Sequence, residues 1–183
     1  MMAYTTIDDP EKYFQAVLYT GNGSTQSITL PADSDMQPDL AWFKRRDDTD
    51  QAKIHDSVRG VDKRLIPSAT SAEADDDDVV TAFNSDGFSL GDDDSSNASS
   101  ATYLAWCWKM GTTSGISGSP DITPSGYSFN ATAKQSIIAY SGSANDGDTI
   151  PHGLGAAPNL VIVKCRDASE KWSTYHTSIT AAD

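Results

Sequence analysis

The sequence predicts an all-β protein, an antiparallel β-sandwich of the jelly-roll or concanavalin-like kind that carries a partial second copy of its own module. Three observations support this fold class. Short apolar segments follow one another about 8–12 residues apart, as they do in sandwiches and barrels. Turn-forming Gly, Asn, Asp and Ser residues separate these segments. No segment keeps the apolar period of a helix.

Each strand predicted in the first part of the chain is bounded by residues that favour turns. These strands cover residues 15–19, 25–30, 40–45, 53–56, 79–83, 87–90 and 102–109. The segments 40–45 and 102–109 are apolar on both faces at their centres, which is typical of strands in the middle of a packed sheet. A single helical turn is predicted at 71–74.

The second part of the chain repeats the first. The matched pairs are Tyr19 and Tyr140, Pro38 and Pro158, and His55 and His176. Their offsets are 121, 120 and 121 residues, and an offset this constant predicts a duplicated β module. Strands of the second copy are expected at 127–129, 136–140, 149–150, 160–164 and 172–176.

The repeat predicts four parts of the chain. They are an N-terminal arm at 1–14, a first β-sandwich module at 15–110, a Gly/Ser-rich linker at 111–123 and an incomplete second module at 124–183. The second copy lacks counterparts of the last strands of the first copy. A sandwich without those strands has unpaired edges, and such edges invite pairing with a neighbouring chain.

The composition excludes several classes of partner. The chain has 26 Asp and Glu residues against 13 Lys and Arg residues, a formal net charge of −13. Nucleic acids and anionic membrane surfaces would repel such a chain. No apolar run approaches the ~20 residues of a membrane span. The first residues lack the basic and apolar regions of a signal peptide.

Two acidic runs and two cysteines are the candidate ligands. For the runs at 75–78 and 92–94 we weigh solvated loops against calcium-binding loops, because carboxylates are hard-oxygen ligands. Neither run has EF-hand spacing, so we expect no cofactor, with calcium as the weak alternative. Cys107 and Cys165 are interpreted either as two reduced thiols or as a disulfide, and no Cys pair has zinc-site spacing.

No residue pattern indicates catalysis, and we predict that the chain is not an enzyme. There is no nucleophile elbow, and His55, Asp56 and Ser57 are neighbours on a predicted strand, where alternate side chains face opposite ways. Because His55 and His176 are matched in the repeat, we expect them to share a structural role. Carboxylate pairs at glycosidase separation are not indicated either.

Some residues are candidates for contacts with partners. Tyr4, Tyr13 and Phe14 in the predicted arm either pack back on the first module or dock onto a neighbouring subunit. Trp42 and Trp172 either pack in a core or line a sugar-binding face. The basic pairs that end two matched strands form salt bridges there or contact an acidic partner; they are Lys44 with Arg46 and Lys164 with Arg166.

These motifs together are similar to a module that recurs in virion structural proteins of tailed bacteriophages, marine phages in particular, often with tail fibres. The matching segments are 3–7, 13–14, 18–28, 37–44, 56–60, 72–73, 83–88, 103–109, 152–155, 158–164 and 172–176. The resemblance covers nearly the whole chain. The family has no assigned catalytic residues, so none is transferred to this sequence.

The resemblance implies a virion protein that is made in the host cytoplasm without a signal peptide. It would be associated with the tail or a tail fibre, attach by its N-terminal part and project a β-rich region towards the host. The implied partners are other tail or capsid proteins and further copies of the chain, with a homotrimer favoured. The alternatives are a module that binds host-surface carbohydrate and a capsid decoration or head-fibre protein.

The resemblance also leaves two expectations about the second module. Members of this family continue beyond the position of Asp183 into the remaining strands. The chain is therefore expected either to be the first part of a longer fibre or to have its second module completed by another chain.

Overall fold

The computed structural model describes residues 7–179, and this part of the chain is almost entirely β-structure. It has thirteen strands, one 3-10 turn at Pro10–Lys12 and one short helix, α1, at Asp94–Asn97. The strands are β1 Phe14–Thr20, β2 Gln26–Ile28, β3 Leu40–Arg45, β4 Lys53–Asp56, β5 Gly60–Leu65, β6 Ala74–Asp75, β7 Val80–Asn84, β8 Gly87–Leu90, β9 Thr102–Trp108, β10 Gly126–Asn130, β11 Gln135–Ala139, β12 Leu160–Val163 and β13 Ser173–His176. Every pairing between them is antiparallel, which confirms the predicted all-β, sandwich-like class.

The first module consists of two sheets that pack face to face. One sheet has six strands in the order β1-β9-β3-β4-β5-β6, and the other has three in the order β2-β8-β7. The rings of Phe43 on β3 and Phe88 on β8 meet edge to face at 5.0 Å, and both side chains are buried. Truncation of such a ring to alanine costs roughly 3–5 kcal/mol. The core comprises Val17, Leu30, Met36, Ala41, Phe43, Val79, Val80, Phe88, Leu90, Ala105 and Cys107.

Strand β9 lies between β1 and β3 at the centre of the larger sheet, as its two apolar faces predicted. Its odd-numbered residues from Tyr103 to Cys107 are fully buried against the second sheet. Its even-numbered residues are half-buried on the outer face, where Trp106 meets Trp42 edge to face at 6.0 Å. The sheet therefore presents an aromatic outer face to its surroundings.

The structure corrects the sequence reading at three places. β5 and β6 were not predicted, because charged residues occupy the middle of Gly60–Leu65 and hide the strand pattern. The helical turn predicted at 71–74 is wrong, since this segment leads in extended form into β6, which pairs with β5. The strand predicted at 149–150 is absent, and Thr149 instead bonds to Asp121 by its backbone and side chain.

A buried asparagine joins the loops at one end of the sandwich. Asn97, in α1, accepts hydrogen bonds from Asn22 N at 3.0 Å and from Gln26 Nε2 at 2.6 Å, and it donates to Gly91 O at 2.6 Å. A Cβ atom at Gly21 would lie 2.2 Å from a backbone oxygen just after α1, so only glycine fits there. The turn at 21–23, between β1 and β2, is thus held by a side chain 75 residues away.

The second copy forms two separate hairpins within the described residues, β10 with β11 and β12 with β13. Leu160 lies opposite His176, as Leu40 lies opposite Asp56, so β12–β13 repeats β3–β4 at a constant offset of 120 residues. His176 therefore occupies the position of Asp56. The predicted match of His55 with His176 is wrong by one residue, and Tyr175 is the counterpart of His55.

Candidate functional site

The β12–β13 hairpin exposes an unusual amount of apolar surface. Leu160 and Ile162 on β12 are 53% and 56% exposed, and Tyr175 on β13 is 57% exposed. Val161 and Val163, which point to the opposite face of β12, are also exposed. Both faces of the strand are therefore open to solvent. We call these two strands the exposed hairpin.

The counterpart in the first module is covered on all sides. β3 pairs with β4 on one edge and with β9 on the other, and its Ala41 and Phe43 are buried. Within residues 7–179, β12 pairs with β13 only. The exposed hairpin thus repeats two strands of a six-stranded sheet without the central strand that should lie beside them.

The tip of the exposed hairpin is fixed to the first module. Trp172 Nε1 donates to the carbonyl oxygens of Ile66 and Ala69 at 3.2 and 3.1 Å. Arg166 makes a two-pronged contact with Glu73, Nε to Oε2 at 2.9 Å and Nη2 to Oε1 at 2.6 Å. The Glu73 backbone N–H also donates to Arg166 O at 2.8 Å. The hairpin is consequently anchored at its tip while its strands remain exposed.

Glu73 connects this anchor to a buried ion pair. Its Oε2 lies 2.8 Å from Nη1 of Arg59, which in turn pairs with Asp56. Burial tends to raise the pKa of Glu73, but the hydrogen bonds from Arg166 and Arg59 outweigh that effect and lower the pKa below its ordinary value. Loss of one partner of a buried pair costs about 3–5 kcal/mol. The charged form of Glu73 therefore holds the tip.

A second junction joins β10 to the first module through Asp39. This buried carboxylate accepts hydrogen bonds from Ser57 Oγ at 2.8 Å, Ser128 Oγ at 3.1 Å and Met110 N at 2.9 Å. Ser128 lies on β10 and is fully buried. The repeated strands are thus attached at two polar points, one at each hairpin.

The acidic runs are used in part by the protein itself. Lys53 Nζ lies 2.7 Å from Asp76 Oδ2 and 3.4 Å from Asp93 Oδ1, and Arg64 also reaches Asp76. Asp93 in addition caps α1 by accepting from Ser95 N. Among residues 7–179, no three His, Cys, Asp or Glu side chains are grouped to hold a metal ion. The Lys53 ammonium lies between the carboxylates that a cation would need.

The histidines and cysteines do not form a reactive cluster in the described chain. His55 is fully buried and makes a 2.7 Å contact from Nδ1 to Val61 O, whereas His176 accepts from Ser178 N on the hairpin. Cys107 is buried in β9 and Cys165 is exposed beside β12, and both are free thiols. Burial raises the pKa of Cys107 to about 12, which makes it unreactive at neutral pH.

The two tryptophans proposed for sugar binding have different surroundings. Trp42 packs on Trp106 on the outer face of the large sheet, and Trp172 is bound at the hairpin tip. No ring contact joins the two among the described residues. The two tryptophans that the sequence suggested for a sugar-binding face therefore lie in separate parts of the fold.

Of the three aromatic residues in the predicted arm, Tyr4 lies outside the described residues. Phe14 begins β1, is 40% exposed and has its ring 5.1 Å from that of Trp108. Tyr13 is half-buried, and its carbonyl accepts from Lys109 N. Tyr13 and Phe14 therefore lie against the first module, with part of Phe14 still accessible.

The basic pairs at the ends of β3 and β12 differ in their arginines, whereas Lys44 and Lys164 both donate to carbonyl oxygens of the loop that follows. Lys44 donates to the carbonyl oxygens of Asp48 and Asp50, and Arg46 is exposed. Arg166, the counterpart of Arg46, instead makes the contact with Glu73. The repeat predicted the two arginines as equivalents, but only the second has a carboxylate beside it.

One cleft of the described residues lies in the second part of the chain. It is a shallow opening of about 420 Å³ between the segments 117–120 and 149–157. Small residues line it for the most part, and His152 is its only ionisable side chain.

No helix within residues 7–179 is long and apolar enough to cross a membrane.

One comparison with known proteins gives a match. A family model described as a domain of unknown function, DUF7483, matches residues 9–183. No curated protein and no solved structure matches the chain.

Proposed function

The chain belongs to the DUF7483 family, whose function is not assigned. From the resemblance to virion modules and from the exposed hairpin, we propose that it is a structural protein of a tailed-bacteriophage particle. It is a tail-fibre or tail-associated subunit. Its N-terminal part attaches to the tail, and its β-rich region projects towards the host. The resemblance to virion modules supplies the class of particle, and the exposed hairpin supplies the reason for assembly.

The exposed hairpin is the observation that carries this proposal. Leu160 and Ile162 are more than half exposed on a strand with an open edge, while the tip beside them is fixed by Arg166 and Trp172. Large exposed apolar groups mark interaction sites in soluble proteins, and open edges pair with other strands. An anchored, exposed edge suits a subunit that is covered in an assembly.

The surface charge fits the same role. A net charge of −13 disfavours contacts with nucleic acid and keeps the free subunit soluble. Phe14, at the start of β1, is 40% exposed. Its ring provides an apolar contact for the attaching, N-terminal side of the module.

The proposal is tested by locating the chain in particles of the phage that encodes it. We expect its peptides in the mass spectrum of purified virions and antibody-labelled density at the tail. Density distributed over the capsid would instead support a decoration or head-fibre protein. Absence of the chain from particles that infect normally would contradict the proposal.

We further propose that the subunit is a homotrimer, since symmetric fibres commonly are. Sedimentation equilibrium of the purified chain measures its mass directly. A monomeric mass, together with no contact between copies in the particle, would contradict this oligomeric state.

Carbohydrate binding is the second candidate function, favoured by the aromatic outer face of the large sheet. Trp42 and Trp106 are both half-buried there, and aromatic rings stack on the C–H surfaces of sugars. A glycan array probed with and without calcium tests this candidate. Binding that Trp106→Ala abolishes would support it, and an array without signal in both conditions would count against it.

A further inference from the structure

We propose that the open edge of β12 is the docking site for an extended, antiparallel strand of the β9 type. This inference rests on the proposed function, because it names the partner of the exposed hairpin. It adds the chemistry of that partner and the register in which it binds.

The repeat identifies which edge of β12 is open. β3 has β4 on one side and β9 on the other. β12–β13 reproduces the β3–β4 register residue for residue, at an offset of 120. The edge of β12 that β13 leaves free therefore corresponds to the edge of β3 that β9 occupies. The first module thus contains a template for the missing contact.

The template also fixes the residue pattern of the partner. In the first module Leu40 and Trp42 lie opposite the two tryptophans of β9, Trp108 and Trp106. Transferred by the repeat offset, Leu160 and Ile162 should oppose aromatic residues.

The alternate positions take small residues. Ala41 and Phe43 lie opposite Cys107 and Ala105. Their counterparts, Val161 and Val163, should therefore oppose small side chains. The expected guest is an antiparallel strand that alternates small and aromatic residues, as Ala-Trp-Cys-Trp does in β9.

Two backbone donors flank the open edge. Asp39 N donates to Trp108 O and Arg46 N donates to Thr102 O, both at 2.8 Å, so that β9 is held at both ends of β3. The counterparts are the N–H groups of Asn159 and Arg166, for which residues 7–179 provide no acceptor. Because Arg166 is fixed by Glu73, one of these donors is held at the end of the edge.

β12 itself carries nothing that would repel a guest strand. Its four residues, Leu160–Val163, include no charge and no proline, two of the features with which natural edge strands avoid pairing. Strand addition uses backbone hydrogen bonds for affinity and alternate side chains for specificity. Both elements are available at this edge.

The first experiment measures binding of a synthetic peptide to the purified 183-residue chain. The peptide has the sequence of residues 102–109 with Cys107→Ser and added lysines for solubility. A control peptide has the same composition with its tryptophans adjacent. We expect saturable binding of the first peptide only. Ile162→Lys should weaken binding at least about tenfold, because it places a charge under an aromatic residue.

The matched control variant is Leu18→Lys. It makes the same change at a side chain of similar exposure on β1, 62% against 56%. We expect it to bind the peptide as the unmodified chain does. Both positions are exposed, so both variants should keep the fold, and their urea unfolding curves verify this.

The second experiment tests the register with spin labels. Arg45 lies opposite Tyr103, so its counterpart Cys165 should lie opposite the second residue of the peptide. With a nitroxide on Cys165, a label at the N-terminus of the peptide should be within about 10 Å. A label at the C-terminus should be roughly 20 Å further away, since each residue of a strand advances about 3.3 Å.

Three results of the peptide and spin-label experiments would overturn the inference. They are equal binding of the two peptides, equal affinity of the Ile162→Lys and Leu18→Lys variants, and distances that place the C-terminal label near Cys165. The inference would also be overturned if the chain self-associated, if Ile162→Lys abolished this self-association and if the peptide did not inhibit it. A second copy would then occupy the edge. Each result concerns the purified chain, so it is independent of whether virions contain the protein.

Discussion

His55 is a polar side chain in the middle of an apolar core. Its ring is fully buried and lies edge to face with Phe43 at 6.1 Å. Nδ1 contacts Val61 O at 2.7 Å, whereas Nε2 has no hydrogen-bond partner. Burial lowers the pKa of His55 to about 4, although the bond to Val61 opposes the shift. The fold therefore holds the neutral imidazole.

This burial predicts how stability depends on pH. Between pH ~6.5 and pH ~4 the unfolded chain binds a proton at His55 that the folded chain does not, so acid weakens folding by up to ~3 kcal/mol. His55→Leu should remove this part of the slope. Phe43→Leu, which lowers stability but keeps the imidazole, should retain it. Urea unfolding from pH 7 to pH 4 measures both, and equal slopes for His55→Leu and the unmodified chain would contradict the prediction.

The two cysteines should differ in reactivity. Cys165 is exposed beside β12, and Cys107 is buried with its pKa raised to about 12. In native buffer we expect a thiol reagent to modify one cysteine quickly and the second only after unfolding in urea. Cys165→Ser should remove the fast phase and Cys107→Ser should not. Two fast thiols, or none, would show that the environments have been assigned wrongly.

At the scale of elements, the sequence predicted what depends on local pattern. β3 and β9 are apolar on both faces and lie inside the sheet, as expected. β5 was missed because the charged residues Asp62, Lys63 and Arg64 hide its strand pattern, and β6 was missed because it has only two residues. The repeat located β12 and β13 but could not show that their apolar residues are uncovered, since this depends on which other strands pack there.

The anchor of the hairpin was not predictable from pattern either. Glu73 and Arg166 are 93 residues apart, and nothing in either segment indicates the other. The sequence reading made Glu73 part of a helical turn. It in fact lies outside any helix, just before β6, and pairs with Arg166 by backbone and side chain, so that a tertiary contact decides the local structure.

We predict that Glu73→Gln releases the exposed hairpin. The amide removes the charge that Arg59 and Arg166 share, and the loss of a partner from a buried pair costs about 3–5 kcal/mol. Amide exchange at 160–163 and 173–176 should then rise at least about tenfold. Glu170→Gln makes the same change at an exposed position of the loop that carries Arg166, and it should leave exchange unaltered. Equal protection in both variants would contradict the anchor.

The same anchor should respond to acid. The pKa of Glu73 is lowered in the folded chain, so its contribution is complete above the ordinary pKa of a glutamate, ~4.3, and is lost as pH falls through the lower, folded value. Hairpin exchange, corrected for the intrinsic pH dependence of amides, should therefore rise only below pH ~4. Glu73→Gln should show no such rise. A rise that began near pH 6 would assign the effect to another group.

For the whole molecule, the dominant electrostatic fact is the excess of acidic residues, 26 against 13. Repulsion among them destabilises the compact state. Raising the ionic strength from ~0.01 to ~0.1 M shortens the screening length from about 30 to about 10 Å. This weakens the long-range repulsion more than it weakens close, half-buried ion pairs, such as Lys53 with Asp76 at 2.7 Å. We therefore expect salt to raise the melting temperature, by ~2–4 °C for each kcal/mol gained.

The salt effect should not depend on the cation, because Asp76 and Asp93 already face Lys53. CaCl2, MgCl2 and NaCl at equal ionic strength should raise the melting temperature alike. A melting temperature that falls with salt, or that rises more with calcium alone, would contradict this reasoning.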